Sequence, residues 1–334
     1  MTVKLIFETD THGRANIPTS RKDNFPETML RKVKWTIDYA NSIDAAIIHG
    51  GDWLNRPDTS PAFVARLAKI LSKAKNPIFT VIGNHDIFGY NPTTFPRTPM
   101  YILETLGLIH RLYPGGIVYE QNGERVCLSG ADAHYDIDRK PEYYLGAGIM
   151  VTDNIPKIHV VHGFLTDHEW PNVLCTTIDS ILETQADVIL SGHEHSGYGI
   201  IRKNGKIFCN PGALLRVTAG VGDINQEVKI AELTVENGIV DIRLVPLPLD
   251  IALPADEVLD RAKIVEEKAH NQRMASFSGN LEDVSEDIGG NTVDIMQAFL
   301  RYAGENSLEE PVIHLAASKL SMAQEMLRKN EAES

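Results

Sequence analysis

The feature that most constrains this chain is a recurrence. Five times an apolar run of strand length ends in a short cluster of Gly, Asp, Asn and His: Asp10-Thr11-His12, Gly51-Asp52, Gly83-Asn84-His85-Asp86, His162-Gly163 and Gly192-His193-Glu194-His195. The runs themselves, residues 3–9, 45–48, 78–82, 157–161 and 187–190, are short and β-rich, and their pattern predicts strands. Helical spacing fills the first gaps: Met29, Val33, Ile37 and Ala40 within 25–41, then Phe63, Leu67, Ile70 and Leu71 within 61–74. Strand, loop and helix in repeated order predict right-handed crossovers and a mostly parallel sheet. In such sheets ligands collect beyond the carboxyl ends of the strands, which is where the clusters stand.

Further along, residues 100–106 and 177–184 read as short helices. Asn122-Gly123, Asn204-Gly205 and Asn237-Gly238 each sit between apolar runs and predict hairpins. They lead to the expectation that the second half of the core is largely antiparallel, giving a two-sheet sandwich flanked by helices. After Pro246-Leu247-Pro248-Leu249 the character changes. Residues 255–270 read as a charged helix, 271–291 as a polar linker, and 293–302 and 311–329 as helices. The expected division is 1–250 for an α/β domain and 251–334 for a small, mainly helical C-terminal region that caps the site or binds a partner. A chain of 334 residues suits that plan.

The net charge of −13 argues against a broad basic surface for non-specific nucleic-acid binding. It does not exclude a nucleic-acid substrate, because a pair of divalent cations reverses the local field. No apolar run is long enough to span a membrane, and the first residues enter a strand without the pattern of a signal peptide. Cys127, Cys175 and Cys209 lie far apart without metal-type spacing. A reduced, cytoplasmic setting is the expectation.

Two Asp, one Asn and four His at strand tips, with His85 to spare, match the ligand count of a two-metal site with one histidine left for catalysis. Mixed carboxylate, amide and imidazole donors suit manganese, iron or zinc over magnesium or calcium. Manganese is the expected metal. Asp52 is the candidate bridge, since a carboxylate offers one oxygen to each ion. Asp10 and His12 are spaced to hold one ion from a single loop. His193 and His195, two apart in an extended segment, are expected to face the same way. Asn84 offers a carbonyl oxygen and His162 an imidazole. Two cations roughly 3.5–4 Å apart would bind a phosphate and generate a hydroxide for in-line attack. His85 is placed to stabilise developing charge or protonate the leaving oxygen. Arg14, just past the first cluster, is a candidate phosphate contact, and Arg56, Arg97 and Arg216 lie near other motif loops. His49, His110, His159 and His168 read as ordinary core or surface histidines; His134, beside Asp132, stays open.

These five stretches, in this order and spacing, resemble the motif series of the calcineurin-like metallophosphoesterase superfamily over about residues 3–250. The resemblance implies a four-layered α-β-β-α sandwich. It also implies that Asp10, His12, Asp52 and His195 hold one metal, that Asp52, Asn84, His162 and His193 hold the other, and that His85 is catalytic. Within the superfamily the chain looks most like the SbcD-type (Mre-type) DNA repair nucleases. The residues behind that likeness are Asp10-Thr11-His12-Gly13, Asp52 with Asn55 and Pro57, Gly192-His193-Glu194-His195 followed by Asn210-Pro211-Gly212-Ala213, and Phe299-Leu300-Arg301-Tyr302. That likeness implies exo- or endonucleolytic hydrolysis of DNA, an SbcC-type SMC-like ATPase as partner, and homodimerisation. Two other readings share the site: a phosphomonoesterase or cyclic-nucleotide phosphodiesterase acting on small phosphoesters, and a non-catalytic metal-binding scaffold, which the intact ligand set disfavours. One departure stands out. Where many members carry Asp or His three residues past the bridging Asp, this chain has Asn55. Its amide is expected to orient His85 by accepting a hydrogen bond, without raising the imidazole's pKa as a carboxylate would.

Overall fold

The computed structural model describes residues 2–18, 20–170, 173–216 and 226–260, with single positions 300, 303, 313 and 317 beyond them. Within these, the strands in chain order begin with β1 (Val3–Glu8), β2 (Ala46–His49), β3 (Ile78–Thr80), β4 (His110–Arg111), β5 (Ile117–Gln121), β6 (Glu124–Ala131) and β7 (Lys157–His162). They continue with β8 (Leu165–Thr166), β9 (Thr176–Thr177), β10 (Val188–Gly192), β11 (Gly199–Lys203), β12 (Lys206–Asn210), β13 (Lys229–Glu236) and β14 (Ile239–Pro246). The α-helices are α1 (Phe25–Ser42), α2 (Pro61–Leu71), α3 (Pro99–Thr105) and α4 (Ala255–Val258).

Two six-stranded sheets carry the fold, in the orders β14-β13-β1-β2-β3-β4 and β11-β12-β10-β7-β6-β5. In the first, β1 to β4 run parallel, and the β13–β14 hairpin is added antiparallel beside β1. The alternation along β1 shows how the layers form. Leu5 and Phe7 point between the sheets, where they meet Ile48, Leu128, Val160 and Leu190, while Ile6 points outward to Met29, Val33 and Ile37 of α1. Helix α1 starts where Asn24 accepts the Glu27 N–H and Pro26 fills the first turn. The outer face of the second sheet is covered by a third cluster, Tyr144, Val161, Ile178, Ile181 and Phe208. This is the expected four-layered sandwich. Among the described residues, 3-10 turns at Pro141–Tyr144 and Ile178–Ile181, not long helices, build the outermost layer on that side.

Three expectations are corrected. The second sheet is mostly parallel: β12, β10, β7 and β6 share one direction, and only the edge strands β5 and β11 are antiparallel. The Asn-Gly turns do make hairpins, but a turn dipeptide carries no information about which sheet its strands join; the third hairpin goes to the first sheet. Residues 177–184 are not a helix; Thr176–Thr177 pair with β8 and one 3-10 turn follows. The charged helix from 255 stops at Val258, and Leu259 turns extended to pair with Arg21. The remainder of that segment and the helices expected at 293–302 and 311–329 lie outside the described residues, apart from the helical positions 300, 313 and 317. Among the described residues no helix is long and apolar enough to cross a membrane.

Candidate metal centre

The carboxyl ends of β1, β2 and β3 from one sheet meet those of β7 and β10 from the other, and the five clusters converge there. Asp10, His12, Asp52 and His193 hold left-handed backbone, with φ of 55°, 44°, 56° and 78°. For non-glycine residues this costs roughly 1 kcal/mol or more each, and it turns each side chain inward directly after its strand. The strain is held by cross-links between the loops. The Asp10 carboxylate accepts the His193 N–H at 3.1 and 3.2 Å and the Thr9 hydroxyl at 2.6 Å. Asp52 Oδ1 accepts the His85 N–H at 2.8 Å. Asp86 accepts the N–H groups of Leu54 and Gly83 at 2.9 and 3.0 Å. Gly83 is required by packing, because a Cβ there would lie 2.0 Å from Asp52 Oδ1.

Three groups of ligand atoms, each mutually within 4.8 Å, result: Asp10, His12 and His195; Asp52, His162 and His193; and, between them, His12, Asp52 and His85. His12 Nε2 lies 3.1 Å from His195 Nε2. His162 Nε2 lies 3.1 Å from Asn84 Oδ1. Asp52 Oδ2 is buried, has no hydrogen-bond partner, and stands 3.6 Å from His12 Nε2 and 3.4 Å from His162 Nε2. A carboxylate oxygen stranded between two imidazole nitrogens, each belonging to its own cluster, fits a bridging ligand for a cation pair. His162 fits as well: its Nδ1 donates to the Gly50 carbonyl at 2.7 Å, which leaves Nε2 as the inward nitrogen.

The electrostatics agree with the donor set. Burial opposes ionisation of Asp52, but His162 and His85 outweigh it and hold the carboxylate well below its usual range. Burial pushes His12 down to about 4 and His193 to about 3, so both are neutral donors. His162 differs. Burial lowers it, the neighbouring Asp52 and Asp10 carboxylates overcome that, and it is pushed up to about 10. A cation binding there has to displace its proton.

The family model of the calcineurin-like phosphoesterases matches residues 3–197. The chain belongs to that family. No curated protein matches it in sequence. Among solved structures it is similar to the NAD nucleotidase NadN of Haemophilus influenzae, at 14% identity and a TM-score of 0.45, over 74% of this chain and 50% of that one. It is also similar to the sulfate thiohydrolase SoxB of Thermus thermophilus, at 12% identity and 0.45, over 84% and 61%. Vps29 of Chaetomium thermophilum follows at 12% identity and 0.30, over 73% and 93%. The chain thus spans half the length of NadN.

The remaining candidate residues sort by their contacts. His193 and His195 do not share a face as their spacing predicts: His193 has left-handed backbone, and the two join different groups, as the motif likeness implies. Asn55 does orient His85, but through its main chain: His85 Nδ1 donates to the Asn55 carbonyl at 2.9 Å. Arg14 and Arg56 emerge side by side, since Asn55 N–H bonds the Gly13 carbonyl. Burial and the like charge of Arg56 both lower the pKa of Arg14. Arg216 is turned away, its guanidinium donating to the carbonyls of Leu253 and Gln226. Arg97 lies over the Phe88 ring. His134 stays out of the three groups, its Nδ1 donating to the Asp132 carbonyl. His49 is buried beneath the centre, stacked on Trp53 at 3.7 Å. Several supports surround His193 and His195, of which the sequence pointed only to the Asn210 turn. Asn210 donates to the Glu194 carbonyl at 2.7 Å, Glu194 caps the N–H groups of Ser196 and Gly197, and Gln226 donates to the His195 carbonyl. The Asn-Pro-Gly turn was the visible signal for the first of these.

Proposed function

We propose that this phosphoesterase hydrolyses phosphodiester bonds with two divalent cations, manganese by preference, and that its substrate is DNA, as in the SbcD-type nucleases. The observation that supports the chemistry best is Asp52 Oδ2, set between His12 and His162 without a hydrogen bond. Asp10, His12, Asp52 and His195 would hold one cation, and Asp52, Asn84, His162 and His193 the other. Bound there, the pair supplies Lewis-acid polarisation of the phosphoester and activation of an attacking water. His85, with Nδ1 committed to Asn55, keeps Nε2 for donating a proton to the leaving oxygen. Arg14 and Arg56, on loops joined by the Asn55 N–H to Gly13 carbonyl bond, would exchange Asn16 and Asp58 for non-bridging phosphate oxygens.

The motif likeness given above supports the choice of DNA. In the same reading residues 1–250 are the catalytic domain, 251–334 serve an SbcC-type ATPase partner, the protein acts as a homodimer, and it works in the cytoplasm. Leu247 and Ala252 pack on the core beside α1, so the division falls within a packed segment. The test is manganese-dependent turnover of labelled single- and double-stranded DNA beside bis-p-nitrophenyl phosphate and cyclic nucleotides, with Asp52→Ala as control. DNA degradation that disappears in the control is the expected result. Turnover of small esters with DNA untouched would overturn the nuclease reading while keeping the phosphoesterase.

A further inference from the structure

The loop that leaves β7 carries three aromatic rings the metal centre does not use. Phe164 follows His162 by two residues, and its ring stands edge-on to the His193 imidazole, 5.7 Å between centroids at 81°. Trp170 meets Phe164 at 5.6 Å and 88°, and His168 lies over Trp170 at 5.9 Å and 21°. Phe164 and Trp170 are half-buried and His168 is exposed. A wall of rings therefore runs outward from one ligand group to solvent.

This wall is held in place. Both oxygens of Asp138 accept the Phe164 N–H at 3.0 Å, and the buried Tyr144 hydroxyl donates to the same carboxylate. The base of the loop is closed by the β8–β9 pairing, Leu165 with Thr176 and Thr166 with Thr177, and the Phe164 carbonyl accepts the Thr176 N–H at 3.0 Å. Gly163 leaves no slack, because a Cβ there would lie 2.1 Å from the Tyr144 hydroxyl oxygen. Trp170 belongs to none of the apolar core clusters among the described residues, and its ring meets Phe164 and His168.

We infer that Phe164 and Trp170 form a stacking subsite for a nucleobase of the ester whose phosphate lies at the metal centre. The inference rests on the phosphoesterase reading and adds to it the chemical class of the group beside the phosphate. The loop chemistry suits a flat, uncharged ring: the Phe164 and Trp170 rings offer aromatic surface, and a base is neutral and presents a π-face to them. Phe164 and Trp170 are specificity residues here and take no part in bond cleavage.

The test compares deoxyadenosine 5′-monophosphate with deoxyribose 5-phosphate, which lacks the base. Trp fluorescence is read on mixing, before turnover, with manganese and without it. Of the chain's Trp35, Trp53 and Trp170, Trp53 is fully buried and Trp35 is stacked on Tyr39, so the loop indole is the reporter. The nucleotide is expected to quench the signal and to bind about 10-fold more tightly than the sugar phosphate, at the lower end of what stacking a base contributes. Trp170→Leu is expected to bring that preference to within about 2-fold of unity, and Trp170→Phe to restore most of it. Among the described residues the ring contacts of Trp170 are to Phe164 and His168, neither a ligand, and thermal melting of the variants checks their folding. Equal binding of the two compounds, or a preference kept in Trp170→Leu, overturns the inference. Hydrolysis of bis-p-nitrophenyl phosphate, lost in Asp52→Ala, reports separately on the phosphoesterase reading, so the two fail independently.

Discussion

His85 Nδ1 and the main-chain carbonyl of Asn55 are 2.9 Å apart. A carbonyl can only accept, so Nδ1 bears a hydrogen, and Nε2 is the nitrogen left for the leaving oxygen. The orientation a carboxylate supplies elsewhere is supplied here by the backbone, which no side-chain change at 55 removes. Asn55→Ala is therefore expected to keep kcat/KM on bis-p-nitrophenyl phosphate within about 3-fold, while His85→Ala loses on the order of 100-fold or more. Equal losses in both variants would show that the amide side chain orients the ring. For the same reason Asn55→Asp changes the pH–rate profile by an added charge only, without a new hydrogen bond to Nδ1.

The shared position of Asp52 makes metal stoichiometry the sharper readout for this residue. Asp52→Ala removes the one oxygen that faces both His12 and His162, and it leaves the His85 N–H without its acceptor, a loss on the order of 1–3 kcal/mol in stability. Metal content after dialysis is expected to fall from two ions per chain to one or none. Gly83→Ala is expected to do the same with no ligand removed, because the new methyl group meets Asp52 Oδ1 and the Asp52 N atom at 2.0 and 2.2 Å. Two ions retained in both variants would exclude Asp52 as the bridge.

Glu8 gives a pH prediction apart from the ligands. It is buried on β1, and desolvation outweighs the opposing influence of Thr36, raising its pKa to about 8. The folded state thus binds this proton more tightly than the unfolded chain, whose Glu titrates near its ordinary value of about 4.3. The stabilisation is complete below that pH and is lost as pH rises through about 8. Denaturant unfolding at pH 5 and pH 8.5 is expected to show the wild type losing more stability than Glu8→Gln, with a difference on the order of 4 kcal/mol. Parallel pH dependence in the two proteins would refute it.

Arg14 and Arg56 leave adjacent loops beside His85. If both meet phosphates of a nucleic acid, each replacement by Ala lowers the slope of log affinity against log salt by about 1. Binding of a labelled oligonucleotide between 50 and 200 mM salt measures it. Arg216→Ala is expected instead to lower the melting temperature, since its guanidinium holds the carbonyls of Leu253 and Gln226. An unchanged slope in the Arg14 and Arg56 variants would remove them from the substrate path.

What the sequence by itself determined was the set of side chains at the site. Strand-length apolar runs, turn-forming glycines and a helix between successive strands are local signals. In a parallel sheet they force every strand tip to one edge, so Asp10, His12, Asp52, Asn84, His85, His162, His193 and His195 could be named without coordinates. The motif likeness also implied how those residues divide; tertiary structure decided what holds them. The left-handed turn that separates His193 from His195 depends on Asp10, 183 residues away in sequence, accepting the His193 N–H. The parallel run of β6, β7, β10 and β12, the carbonyl behind His85 and the inward turn of Arg216 likewise arise from pairings between segments remote in the chain. Periodicity records which face of an element is buried; which partner buries it is settled only when the two sheets close on one another.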